Sequence, residues 1–169
     1  MKYDEARSQF IQTWSQLSQH WGISKPMARI HAVLILSPTP MTADDLMREL
    51  DISRGNVSTS LRLLMEWGIV HKAYIPGERK DHFTAEKDIW KMALSIARER
   101  KRRELDPVIT TLQQLQVTEP DPGLLREVEE FNTISSQLLD VAMQIDKVME
   151  AGIRSGSQSL ARKLINLLR

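Results

Sequence analysis

Cysteine is absent from the 169 residues. Disulfides, thiolate metal sites and a cysteine nucleophile are therefore excluded, and the absence suits a reducing compartment. Also missing is any apolar run near the ~20 residues needed to cross a bilayer. The opening "MKYDEARSQF" puts acidic residues where a signal peptide needs an apolar core. A cytoplasmic location with no membrane partner is expected. No GxGxxG, GxxxxGK, GxSxG or HExxH motif occurs, and His20, His31, His71 and His82 are scattered without ligand spacing. The reading is therefore not an enzyme, with no catalytic residue, no metal and no cofactor. Aromatics are scarce at 5%, although four of them are tryptophans.

What is present is an ordinary folding composition, 41% apolar and 27% charged. The net charge of +1 hides an uneven distribution. Residues 24–103 carry 15 cations against 10 anions, and residues 104–153 carry 2 against 10. Residues 154–169 are again basic, at +4. A basic middle beside an acidic segment suggests one face that meets a polyanion and another that does not.

Helical spacing runs through Phe10, Trp14, Leu17 and Trp21, then breaks at "WGISKP". Ser24 can cap a second helix that has Pro26 in its first turn and carries Met27, Ile30, Leu34 and Ile35. "SPTP" ends it. Thr42 opens a third helix with Asp45 three residues on, a variant of the capping box. Only "DIS" separates it from a fourth, capped by Ser53, which is the spacing of a helix-turn-helix.

The fourth helix, expected over residues 53–67, is two-sided. Val57, Leu61, Leu64 and Met65 cluster on one side, widened by Leu63 and Trp67. Gly55, Ser58, Thr59, Arg62 and Glu66 occupy the other. A side built for solvation would use lysine and glutamate, which favour helix; serine, threonine and glycine cost local helix stability. Short donors and acceptors do let a helix approach a grooved surface and read base edges, with arginine suited to guanine. Arg62 and Arg54 are the leading candidates for DNA contact, with Ser53, Gly55, Asn56, Ser58 and Thr59 beside them. Asn56 and Ser60 lie toward the apolar flank.

After "EWG" the period changes. "IVHKAYI" (residues 69–75) is β-branched and aromatic, "PGERKD" (76–81) is a turn with adjacent cations Arg79 and Lys80, and "HFTA" (82–85) can return as a second strand. A hairpin with a basic tip behind a helix-turn-helix is a winged helix, and Arg79 and Lys80 are placed on the DNA backbone or minor groove. Helical spacing resumes at Glu86 and runs into "RERKRRE" (98–104), a cationic stretch that reads as solvated, with contact to the DNA backbone as the alternative. Asp106-Pro107 should kink the helix or cap a fresh one, and "TEPDPG" breaks the chain again.

A long helix to about Ala151 follows, with an apolar stripe at Leu124, Val128, Phe131, Leu138, Val141, Ile145 and Met149. "AGIRSGS" is expected to break it before a last helix with Leu160 and Leu164. The stripe is wider than one neighbouring helix would cover, so these residues are read as a dimer interface, the alternative being that they pack only against the chain's own helix 86–116.

The stretch from Trp21 to Trp90 resembles the GbsR-type branch of the MarR-like winged-helix transcription regulators. The likeness is sharpest in "SRGNVS", "WGIV" and "PGERKDHF". It implies a homodimer on operator DNA, with helix 53–67 in the major groove. Some members of that branch respond to osmoprotectants such as choline, so an unidentified small-molecule effector is left open as a further partner. The tryptophans that could hold a quaternary ammonium by cation–π attraction fit core positions better.

The expectation is thus a mainly α protein: a winged helix-turn-helix with a small β-hairpin wing, plus long N- and C-terminal dimerisation helices. An N-terminal packing helix spans 1–23, the DNA-binding domain 24–90 and a helical dimerisation region 91–169. Its expected function is sequence-specific binding of double-stranded DNA as a homodimeric repressor. The alternatives are a winged helix used for protein contact and a regulator switched by a small cationic osmoprotectant.

Overall fold

The structure, a computed structural model, describes residues 1–20, 22–115 and 123–155. It divides into two units, residues 1–96 and 97–169, with the boundary inside one helix. No helix among the described residues is long and apolar enough to cross a membrane.

The first unit contains α1 (Tyr3–His20), α2 (Lys25–Leu36), β1 (Met41–Thr42), α3 (Ala43–Leu50), α4 (Arg54–Glu66), β2 (Val70–Ala73), β3 (His82–Ala85) and the start of α5 (Ile89–Arg100). Helix α2 is the hub, packed against α1, α3, α4 and β3. Its Ile30, Val33 and Leu34 are fully buried, with Leu46 of α3, Val57, Leu61 and Leu64 of α4, and Phe83 of β3 around them. Each such side chain contributes about 1.5–3 kcal/mol of apolar burial.

The helix starts are those the sequence encodes. Ser24 Oγ accepts from Met27 N–H with Pro26 in the first turn. Thr42 and Asp45 form a reciprocal capping box: Thr42 Oγ1 accepts from Asp45 N–H, and Asp45 Oδ2 accepts from Thr42 N–H at 2.9 Å and from its hydroxyl at 2.6 Å. These hydrogen bonds hold the Asp45 carboxyl down at about 2. Ser53 caps α4 through Asn56 N–H. Between α3 and α4, Asp51 adopts the left-handed conformation (φ 51°) that the tight turn requires.

Helix α4 ends in a Schellman motif. Ile69 N–H reaches Leu64 C=O and Gly68 N–H reaches Met65 C=O, with Gly68 at φ +68°. This termination aims the chain into β2. The hairpin β2–β3 pairs Val70 with Ala85 and Ala73 with His82, so the strand is shorter than the apolar run 69–75 suggests. The chain turns at residues 75–78, where Glu78 N–H bonds Ile75 C=O and Gly77 takes φ +85°. A third strand not expected from the sequence, β1, lies on the other edge of β3 in the order β1-β3-β2. Lys87, just past the hairpin, donates to the carbonyls of Leu34, Ile35 and Ser37, each at 2.8 Å. It thereby satisfies the orphan carbonyls at the end of α2.

In the second unit α5 runs into a single π turn (Lys101–Leu105), then α6 (Asp106–Gln114), and α7 (Leu125–Ser155) follows. The π turn is how the chain accommodates Pro107. A proline lacks the N–H and crowds the carbonyl four residues back, so the ladder shifts to Asp106 N–H bonding Lys101 C=O. Helix α7 packs on α6 and the π turn. It continues through Ala151 and Gly152 to Ser155, four residues beyond the expected end. A glycine costs only ~1 kcal/mol inside a helix, and Gly152 is buried there. The expected last helix, with Leu160 and Leu164, lies outside the described residues, as does Trp21.

Candidate nucleic-acid interface

The buried side of α4 comprises Val57, Ser60, Leu61 and Leu64, held on α2 and α3. The opposite side is open: Ser53, Arg54, Gly55, Asn56, Ser58, Thr59 and Arg62 are all exposed. A Cβ at Gly55 would meet nothing within 4 Å, so the start of the helix presents bare backbone to its surroundings. Ser60 is buried at 4% exposure, on the apolar flank where its spacing puts it, whereas Asn56 turns outward.

The wing sits behind this helix. Arg79 and Lys80 are exposed at its tip, and Lys72 and Asp81 pair across the hairpin at 2.6 Å. Arg62 and Arg79 have no ion-pair partner among the described residues, so both cations face solvent uncompensated. Arg54 and Lys80 differ. Both contact one carboxylate, Asp44 in the first turn of α3: Arg54 at 3.0 Å to one oxygen, Lys80 at 2.7 Å to the other. The Lys80 hydrogen bond and charge, with Arg54 and Arg48 adding to them, hold the Asp44 carboxyl below its ordinary range. This three-element junction was missed in the sequence, because its members are 10 and 36 residues apart. Nothing in local spacing signals it.

Three cations of the run in the second unit pair with carboxylates of the same chain. Arg100 is bidentate to Glu104, Arg102 is bidentate to Glu99, and Lys101 meets Asp106 and Asp146 at 2.8 Å and Glu150 at 3.5 Å. The hydrogen bonds and charges of Asp106 and Asp146 raise the Lys101 pKa.

On α7 the apolar residues separate into two seams. Val128 and Met149 share a half-buried to buried side with Ser135, Ala142 and Asp146, the side that meets Lys101. Phe131, Ile134, Leu138, Val141, Ile145 and Val148 form a second seam at alternating spacings of three and four, each 42–54% exposed. Leu124, also exposed, adjoins its start. An unbroken three-four alternation is the pattern of a coiled-coil seam.

Two of the tryptophans, Trp14 and Trp67, occupy packing positions. Trp67 is buried in the core, and Trp14 stacks on Phe10 at 5.6 Å and donates to His31 Nδ1 at 3.3 Å. Among the described residues no group of three or more His, Asp or Glu is arranged to hold a metal ion.

A capped helix pair across a three-residue turn, an outward polar second helix and a cationic hairpin on a three-stranded sheet define a winged helix-turn-helix protein. Known proteins fill in the class. Residues 27–72 match the family described as bacterial regulatory protein, arsR family. The HTH-type transcriptional repressor GbsR of Bacillus subtilis (strain 168) is 26% identical over 113 residues, covering 67% of this chain and 62% of that protein. YvaV of the same organism is 22% identical over 93 residues, 55% of this chain and 52% of that one. The matches thus span less than two thirds of these relatives. A solved structure described as a transcriptional regulator shares the fold, with TM-score 0.56 and 17% identity over 83% of this chain and 95% of that one. The chain carries a helix-turn-helix domain of the kind found in bacterial transcriptional regulators.

Proposed function

We propose that the protein is a cytoplasmic, sequence-specific regulator of the GbsR-type, MarR-like branch that binds double-stranded DNA as a homodimer and represses transcription. The observation that carries this reading is the division of α4. Its apolar side is consumed by the core, while its short hydroxyl, amide and guanidinium groups stand outward together. Helix α4 enters the major groove, where Arg62 reads a guanine and Ser58, Thr59 and Asn56 contact neighbouring edges or phosphates. Arg79 and Lys80 of the wing hold the backbone or minor groove.

Dimerisation supplies the specificity that one helix lacks. Two half-sites about one helical turn, ~34 Å, apart roughly add their discrimination. The exposed seam of α7 is the surface for it. A water-exposed coiled-coil seam is unfavourable as it stands and is relieved by a second copy. The name of the relative GbsR as a repressor supports the sign of regulation.

Selection of bound duplexes from a genomic pool, followed by anisotropy titration of the enriched sequence, tests the proposal. Enrichment of a two-fold symmetric site is expected. Failure to enrich any sequence, together with no salt-dependent binding to any duplex, would leave a winged helix used for protein contact in its place.

A further inference from the structure

Beside the surface just assigned to DNA, one carboxylate, Asp44, meets two of its cations, Arg54 and Lys80. We infer that Asp44 is a specificity-determining residue: it holds Arg54 of α4 and Lys80 of the wing away from phosphates on arbitrary duplex, so that stable binding depends on the base contacts of α4. The inference rests on the DNA-binding reading and deepens it.

The geometry is that of an internal stand-in for phosphate. The two oxygens of Asp44 are divided between the two cations, at 3.0 Å to Arg54 and 2.7 Å to Lys80. A bridging phosphate would offer the same two partners the same two oxygens. The neighbouring acids have other commitments: Asp45 closes the capping box, and Asp81 pairs with Lys72. Asp44 makes no cap, and its side chain is 37% exposed, so its replacement should leave the core intact. Arg54 and Lys80 are 76% and 65% exposed, which makes both pairs easy to exchange with an incoming anion.

The consequence is a difference between binding modes. On non-matching DNA the loosely held backbone meets a carboxylate beside each of these cations and gains little from either. At a matching site, the base contacts of Arg62, Ser58 and Thr59 fix the backbone against the surface, and phosphates displace Asp44. Suppressing the generic electrostatic contribution raises the ratio of specific to non-specific binding, the quantity that decides occupancy in a genome.

The test is an anisotropy titration of the full chain against a random-sequence duplex and the selected operator, from 50 to 300 mM salt. Wild type is compared with Asp44→Asn, and with Asp44→Ser as a second variant of unchanged fold. Both variants are expected to bind the random duplex roughly three- to tenfold more tightly. Their log–log salt slope should be steeper by about one to two, as two cations become free for phosphates. Operator affinity should change less, so specificity falls. Adding Arg54→Ala and Lys80→Ala to Asp44→Asn should abolish the gain. Wild-type binding with no gain in either variant, or a loss, would overturn this inference alone. Absence of salt-dependent binding by all three proteins would overturn it together with the DNA-binding reading.

Discussion

Arg62 lies two turns into α4, exposed and without an ion-pair partner among the described residues. No described residue draws on its charge or its planar fork, so its removal should leave the fold intact. Arg62→Ala is expected to cost about 1–3 kcal/mol of operator affinity and to relax selection at one base position per half-site. Arg79→Ala should weaken all duplexes alike and flatten the salt slope by about 1; unchanged slopes would remove the wing from the interface. His31 makes a prediction of another kind. Burial lowers its pKa to about 4, and its Nδ1 accepts from Trp14, so the folded chain holds it neutral. Below pH ~6.5 the unfolded chain takes up a proton that the folded chain refuses until about 4. Stability should therefore fall as pH drops through that window, by up to ~3 kcal/mol from this group. Denaturant titrations of wild type and His31→Gln from pH 7.5 to 4.5 measure the contribution as the difference in their slopes with pH. Residues such as Arg62 were legible in the sequence because periodicity places them. Asp44 and Lys87 were not, because their partners come from elements brought near only by folding.

At the level of elements, the boundaries legible in the sequence are those with local chemistry. Ser24, Thr42 with Asp45, and Ser53 each start a helix through a side chain that bonds a backbone N–H three residues on. Gly68 and Gly77 stop or turn the chain through positive φ. Strand β1 escaped because two residues have no period; it exists only because β3 offers it an edge. The extension of α7 through "AGIRS" escaped because one glycine, Gly152, costs only ~1 kcal/mol inside a helix and need not end it. The same logic makes Gly68 a site of measurable strain. Space is not the obstacle there, since a Cβ would lie 3.8 Å from Ser95 Oγ, but its φ of +68° is. Gly68→Ala should therefore cost about 1–2 kcal/mol in chemical denaturation, with β2–β3 register retained. A cost near zero would mean that the turn relaxes to negative φ.

At the scale of the whole molecule, the two units leave different surfaces open. The uncompensated cations Arg62 and Arg79 belong to the first unit, whereas in the second Arg100, Lys101 and Arg102 are spent on carboxylates of their own chain. What the second unit leaves open is the apolar seam of α7. The two units thus divide the proposed work, reading in one and pairing in the other, and a seam substitution should separate them. Leu138 stands near the middle of the seam at 53% exposure, away from the side that meets Lys101. A carboxylate there costs the single chain little, because it remains in water. In a dimer the same group would be buried against apolar neighbours without a partner, at a cost of several kcal/mol for each copy. Leu138→Glu should therefore keep its helical circular dichroism and sediment as a monomer at micromolar concentration. Its affinity for the symmetric operator should fall toward that for random duplex, since each half-site then binds alone. A variant that remains dimeric, or a monomer that holds the operator as tightly as wild type, would place the pairing surface or the source of specificity elsewhere.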